Sequence, residues 1–315
     1  MAAAVVATAY GGPEVLRLVD APTAAPGPGE VLLDVRAAGT NPVDYKSYSG
    51  AFSRDPAALP MRLGLEASGM VTAVGQNAAG PAGPIAVGDE VVAYRIQGAY
   101  ASQVVVPAEA VVPKPPALSF EEAGGLLLAG ATAVHCVSAA AITAGETVVI
   151  HGAAGGVGLM AVQLARIAGV RVVATASESR HAYLRELGAE PVTYGPGLLE
   201  RIRSLAPVGV AAAIDTAGTD EAIDVSLALV ADYHRVVSIA AVRRGFAEGI
   251  RVLGGAPGAD PGTEIRAAAR LELVRLAEAR RLRVRVAATV PLTEVAEAHR
   301  LVARGHTFGK IVLVP

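Results

Sequence analysis

Cysteine is almost absent from this sequence. Cys136 is the only one, which excludes an intrachain disulfide and any zinc site built from several thiolates. Lysine is nearly as scarce. Of 27 basic residues only Lys46, Lys114 and Lys310 are lysines, a compositional bias and not a site. Net charge is −2 and no basic cluster stands out, so neither nucleic acid nor an anionic membrane is expected as a partner. Long apolar runs are missing too: the longest are broken by Gly, His or Thr, and none reads as membrane-spanning. The start, MAAAVVATAY, lacks the basic region and apolar core of a signal peptide. The expected location is the cytosol.

What is present is an apolar chain rich in turns, 52% hydrophobic with 35 glycines and 20 prolines. At 315 residues it exceeds the length at which one core usually stops growing, so two domains are expected. Residues 1–119 carry short Val-rich runs bounded by Gly/Pro turns: Val5–Ala9, Leu16–Asp20, Glu30–Ala37, Gly69–Val74, Glu90–Ala93 and Ala101–Val106. Such spacing predicts a barrel-like or sandwich-like β domain. Within it Asn41–Ser49 reads as a short helix with polar groups. Ser119 followed by Glu121 and Glu122 reads as a helix cap.

From there the pattern alternates. Strands are predicted at Thr147–Ile150, Val170–Thr175, Val192–Tyr194, Val210–Asp215, Arg235–Ile239 and Ile250–Leu253. Helices are predicted between most of them, at Val157–Ala168, Arg180–Leu187, Gly197–Leu205 and Asp220–Val230. Repeated βα units imply a parallel sheet covered on both faces, so the fold class is α/β. A long charged helix follows Gly262. Strand-like Val284–Ala288 and Lys310–Val314 then flank a helix at Thr293–Arg304 and are assigned to the first domain. The expected domains are therefore 1–119 with 263–315, and 120–262 inserted between them.

The stretch TVVIHGAAGGVGLMAVQLAR, Thr147–Arg166, organises the whole. A β-branched strand runs into a glycine turn and then a helix, the first half of a dinucleotide-binding βαβ unit. A pyrophosphate must come close to the free N–H groups of a helix start, and side chains on the turn would hold it away. Gly155 lets the backbone approach and Gly158 lets the helix pack on the strand. Ala153 stands where the first glycine of G-x-G-x-x-G usually sits. Gly156 and Val157 complete the turn.

Six stretches in this order resemble one family: AAGTNPVDYKSYSG, GLEASGMVTAVG, GDEVVAY, HGAAGGVGLMAVQLAR, LGAE and FGKIVLV. The family is that of the zinc-lacking medium-chain dehydrogenase/reductases, in particular the quinone oxidoreductase (zeta-crystallin-like) branch. The resemblance implies a GroES-like catalytic domain carrying a Rossmann domain, a nucleotide cleft between them, and a homodimer paired through edge strands, here Ile250–Leu253. The catalytic cysteine of the zinc-dependent relatives aligns with about Asn41, and the histidine of their G-H-E motif with Leu65. Neither supplies the ligand that zinc needs. Hydride donation to an already electrophilic acceptor, a quinone or an activated alkene, needs no metal.

The end of the second strand, Ala174-Thr175-Ala176, is small and neutral, where NAD-specific sites usually place an acidic residue. Ser177 and Arg180 suit a 2′-phosphate, and Tyr194 lies where the family often adds a contact. NADPH is therefore the expected cofactor, with Glu178 holding the ribose of NADH as the competing reading. Thr132, Ala240, Gly309 and Lys310 are further cofactor candidates by resemblance. Asn41, Asp44 and Tyr45 are the catalytic candidates, Asn41 toward the nicotinamide ribose or the substrate oxygen. Phe52 replaces a tyrosine common in related enoyl-thioester reductases, which leaves solvent, Tyr45 or Lys46 as proton source. The expected function is reduction of a small quinone-like acceptor by NADPH. The alternatives are an enone double-bond reductase, a tailoring reductase of secondary metabolism, or a nucleotide-binding protein without turnover.

Overall fold

The computed structural model describes residues 2–315. The chain divides into two compact units, Met1–Leu128 with Arg270–Pro315, and Ala129–Ala269.

In chain order the first unit begins with β1 (Ala2–Ala7), β2 (Leu16–Ala21), β3 (Glu30–Gly39) and helix α1 (Pro42–Tyr48). It continues through β4 (Met61–Arg62), β5 (Glu66–Val74), β6 (Ala79–Gly80), β7 (Gly83–Pro84), β8 (Glu90–Tyr94), β9 (Gln103–Pro107), β10 (Val111–Pro113) and α2 (Phe120–Gly124). Helix α3 (Leu127–Ala139) leads into the second unit. There β11 (Thr147–His151), α4 (Gly156–Ile167), β12 (Arg171–Thr175), α5 (His181–Glu186), β13 (Glu190–Val192), α6 (Leu198–Leu205) and β14 (Ala212–Asp215) follow. After them come α7 (Asp220–Leu229), β15 (Val236–Ser238), α8 (Val242–Ala247), β16 (Arg251–Val252) and α9 (Thr263–Glu278). The chain closes in the first unit with β17 (Val286–Pro291), α10 (Val295–Arg304) and β18 (Lys310–Val314).

The first unit is built on a seven-stranded sheet, order β10-β8-β5-β3-β18-β17, with β9 also paired to β3. Strand β18 lies antiparallel to β3, Val312 opposite Gly39. The start of the last strand thus stands beside the end of β3 and the start of α1, and the site below is built on that register. Inward side chains such as Val31, Leu33, Val91, Val104, Val106 and Leu313 form one core. Each such burial contributes about 1.5–3 kcal/mol. The cap at Ser119 forms as expected: its hydroxyl accepts the Glu122 amide at 3.2 Å and the Glu122 carboxylate accepts the Ser119 amide at 2.9 Å.

The second unit holds six parallel strands in the order β13-β12-β11-β14-β15-β16. Every residue of β11 is buried, as a β-branched run needs when both faces of its sheet are covered. Helix α4 stops at Ala168 because Gly169, at φ +79°, takes the left-handed turn that ends it.

Several boundaries differ from expectation. The third parallel strand is Glu190–Val192, not Val192–Tyr194. Its position at the sheet edge tolerates Pro191, and Tyr194, which is exposed, lies past the strand and just before the Gly195-Pro196-Gly197 turn. The first strand ends at Ala7, and the strand expected at Val284–Ala288 is shifted to Val286–Pro291. Helix α8, between the last two parallel strands, carries no clear pattern of its own.

Candidate functional site

The glycine turn departs from expectation at its first position. Gly152, at φ +69°, takes the left-handed conformation, and a Cβ there would lie 2.7 Å from Thr216 Oγ1. Ala153 beside it is buried and its amide donates to the Thr175 carbonyl at 3.1 Å, so that N–H is engaged within the sheet. A Cβ on Gly158 would stand 2.3 Å from the Gly152 carbonyl oxygen; only glycine lets α4 pack there. At Gly155, the N-cap of α4, the nearest atom to an added Cβ is Gly152 O at 3.4 Å. The fold therefore does not demand glycine at 155. The first-turn amides of Gly156, Val157 and Gly158 have no acceptor within the helix, and together with the open side of Gly155 they form a cradle for an anion.

The turn sits at the reversal of strand order, between β12 and β14 on either side of β11. His151 closes β11, 1% exposed as a residue, with its Nδ1 3.3 Å from Thr175 Oγ1; Nε2 is buried without a hydrogen-bond partner. Burial lowers its pKa to about 4, so the ring is neutral at pH 7. An unpartnered buried polar atom costs about 1–3 kcal/mol. These features fit a dinucleotide: an open main-chain cradle, and an orphaned polar atom at the strand end beside it.

At the end of β12, Thr175 and Ala176 are buried, and Ser177 opens a 3₁₀ turn ending at Arg180. Glu178 is exposed. Asp215, completely buried, is committed to its own turn. It accepts the Ala217 and Gly218 amides, both at 2.9 Å, and the Ser238 hydroxyl at 2.7 Å. Ala240 packs closely against that turn, since a Cβ on Gly218 would approach the Ala240 methyl to 2.8 Å. Thr132 is buried inside α3.

In the first unit, Asn41, Glu66 and Lys310 converge in a buried cluster. Lys310 Nζ lies 3.0 Å from Glu66 Oε1, 2.5 Å from Asn41 Oδ1 and 3.0 Å from the Thr40 carbonyl. Asn41 Nδ2 donates to Glu66 Oε1 at 3.1 Å and to Gly39 O at 3.2 Å. Because an ammonium only donates and a carboxylate only accepts, the orientation of the Asn41 amide is forced. The second Glu66 oxygen accepts the Leu128 amide at 2.8 Å. All three side chains are satisfied internally. Gly309, at φ +100°, is required by packing, because a Cβ would strike Arg285 O at 2.2 Å. Phe308 covers the Arg285 guanidinium at 3.9 Å.

Asp44 opens α1 and accepts the Asn41 amide at 2.8 Å and the Tyr100 hydroxyl at 2.7 Å, both on Oδ2. Since Tyr100 gives its proton to Asp44, its oxygen accepts from His299 Nε2 at 3.3 Å, and His299 Nδ1 accepts the Tyr48 hydroxyl at 2.9 Å. Three donors thus point in series toward one carboxylate. Burial pushes the Asp44 carboxyl up to about 7, against the Tyr100 and Asn41 hydrogen bonds and the Lys310 charge, while Glu66 adds to the rise. Burial also lowers His299 to about 4.

The structure thus brings Asn41 and Lys310 together and gives Asp44 a holding role at the start of α1. Tyr45 stands apart from this network, half-buried, with burial raising the pKa of its phenol. Phe52 is exposed. Glu66, the hub of the cluster, was missed by the sequence reading. A carboxylate opening the apolar strand β5, and one of only three lysines opening β18, were the signals available.

Zinc does not fit here. Lys310 holds the carboxylate with its own charge, and among the described residues no three His, Cys, Asp or Glu side chains form a metal-binding group.

Residues 27–116 match the alcohol dehydrogenase GroES-like domain family, and residues 156–253 the zinc-binding dehydrogenase family. The synaptic vesicle membrane protein VAT-1 homolog of Mus musculus is 36% identical over 219 residues, 68% of this chain and 53% of that protein. The chain spans about half the length of the curated relatives it matches. Among solved structures, an NAD-dependent alcohol dehydrogenase superposes with TM-score 0.86 at 31% identity, covering 99% of both chains. The Escherichia coli quinone oxidoreductase complexed with NADPH gives 0.85 at 28% identity, covering 99% of this chain and 100% of the other. Proteins named quinone oxidoreductase recur in both comparisons. Matched in both halves, and along its whole length at 31% identity, the chain belongs to the medium-chain dehydrogenase/reductases, in their quinone oxidoreductase-like branch.

Proposed function

We propose that this protein is an NADPH-dependent reductase that passes a hydride to a quinone-like acceptor without a metal. The observation that carries the reading is the second strand's end: small, buried Thr175 and Ala176, then Ser177 and Arg180 beside an anion cradle open at Gly155. A 2′-phosphate is matched there by a guanidinium and a hydroxyl. Relatives solved with NADPH support the same cofactor.

Gly155, Gly156, Val157 and Gly158 would hold the pyrophosphate through main-chain N–H groups. Ser177 and Arg180 would hold the 2′-phosphate, with Tyr194 alongside the adenosine. When bound, the cofactor supplies a hydride from C4 of its nicotinamide. In the first unit, Asn41, Glu66 and Lys310 fix the loop that starts α1, and Asp44 fixes its first turn. Tyr45, a half-buried phenol on α1, is our candidate to return the proton. The reaction then balances as quinone plus NADPH plus one proton giving hydroquinone plus NADP⁺. In this reading the protein acts in the cytosol, and its resemblance implies a homodimer.

A panel of 1,4-quinones and open-chain enones, each with NADPH, tests the acceptor. Rapid turnover of quinones with little saturation of enones is expected; the reverse order replaces the reading with a double-bond reductase.

A further inference from the structure

His151 holds a buried polar atom that the fold leaves unused. It ends β11, the strand beside which the order of the parallel sheet reverses. Ile150 is in register with Ala174, which sets His151 opposite Thr175 on the face they share with Val149 and Val173. Thr175 Oγ1 accepts the Gly152 amide at 3.3 Å, leaving the hydroxyl proton for His151 Nδ1, also at 3.3 Å. Nε2 then carries the ring proton. It is fully buried, and among the described residues nothing accepts it.

Packing alone gives no reason for such a group. An apolar side chain would fill the position without an unmet donor, and buried polar atoms without partners are rare enough that each needs a cause. The location supplies one. Ligands of parallel sheets bind beyond the strand ends at the reversal point, and the residues that follow His151 are the glycine turn itself. The same histidine ties the turn together, because its carbonyl accepts both the amide and the hydroxyl of Thr216, at 3.1 and 2.7 Å.

We propose that His151 is a positioning residue of the dinucleotide site, whose Nε2–H gains an oxygen acceptor through one ordered water when the dinucleotide settles on the turn. The inference rests on the cofactor reading given above. It makes His151 a group that favours the loaded protein over the empty one.

NADPH fluorescence titration and thermal melting of the cofactor-free protein test it, on wild type, His151→Leu and His151→Gln. The leucine variant is expected to melt at or above the wild-type temperature without cofactor, yet to bind NADPH about 5- to 20-fold more weakly. Glutamine, whose amide reaches toward the Nε2 position, is expected to recover most of the affinity. Should the leucine variant fail to fold, His151→Asn, which keeps a polar group near Nδ1 and loses the Nε2 position, is expected to show the same weakening. In wild type, the ¹⁵N resonance of His151 Nε2 is expected to move on NADPH addition. Unchanged NADPH affinity in a folded variant overturns the role while leaving the cofactor reading intact. So does an affinity loss that tracks a lower melting temperature and is not rescued by glutamine. A wild-type protein that does not bind NADPH ends both.

Discussion

Lys310 and Glu66 meet 3.0 Å apart with side chains 5% and 0% exposed, an ion pair at the junction of β18, β5 and the start of α1. Removing one partner strands a buried charge. Lys310→Met is expected to cost about 3–5 kcal/mol in urea unfolding, and the double change Lys310→Met/Glu66→Leu to recover most of that loss. A double variant that loses as much as Lys310→Met and Glu66→Leu added together would mean that the pair is not coupled.

Asp44 and His299 push stability in opposite directions with pH. The Asp44 carboxyl is raised to about 7 in the folded chain, against about 3.9 when unfolded. Between about pH 4 and 7 the folded chain keeps a proton that the unfolded chain has released, so this group's contribution falls as pH rises through the window. For His299, lowered to about 4 from about 6.5, the unfolded chain takes up a proton that the folded one refuses, and stability falls as pH drops from about 6.5 to 4. Urea midpoints are expected to show Asp44→Asn gaining about 2–4 kcal/mol on wild type between pH 4.5 and 8. A difference that stays flat with pH would contradict the assignment.

Gly155 and Gly158 are separated by three positions and by opposite reasons for being glycine. Gly158→Ala drives a methyl onto the Gly152 carbonyl and is expected to destabilise the protein by about 2–3 kcal/mol. Gly155→Ala, at φ −75° with room for the methyl, is expected to change stability by less than about 0.5 kcal/mol and to weaken NADPH binding roughly tenfold or more. Melting curves and fluorescence titration of both variants decide it.

In the proposed reading Arg180 sets the choice of cofactor. Arg180→Ala is expected to raise the KM for NADPH about 10- to 100-fold, the value of a charge-assisted bond, and to leave that for NADH nearly unchanged. An unaltered NADPH KM would shift the assignment to Glu178 and NADH.

The parts of the fold that depend on near neighbours were legible in the sequence. The β-branched run Thr147–Ile150, the glycine turn and the apolar helix after it each follow from local sterics, and so does the Ser119–Glu122 cap. Long-range pairings were not. Glu66 meets Lys310 across 244 residues and Tyr48 meets His299 across 251, and no local spacing announces either. Asn41 was singled out by its motif, but its saturation by Glu66 and Lys310 appears only once β18 is laid against β3. Ala153 was placed by counting back along a fingerprint. The backbone needs its left-handed glycine one residue earlier, at Gly152.

The most direct test of the central claim is NADPH oxidation by a 1,4-quinone after exhaustive dialysis against a chelator, run beside the same assay with NADH. The expected result is undiminished turnover, with kcat/KM for NADPH at least about tenfold above that for NADH. Activity that vanishes with the chelator and returns with zinc, or dialysed protein that leaves NADPH fluorescence unchanged, would contradict it.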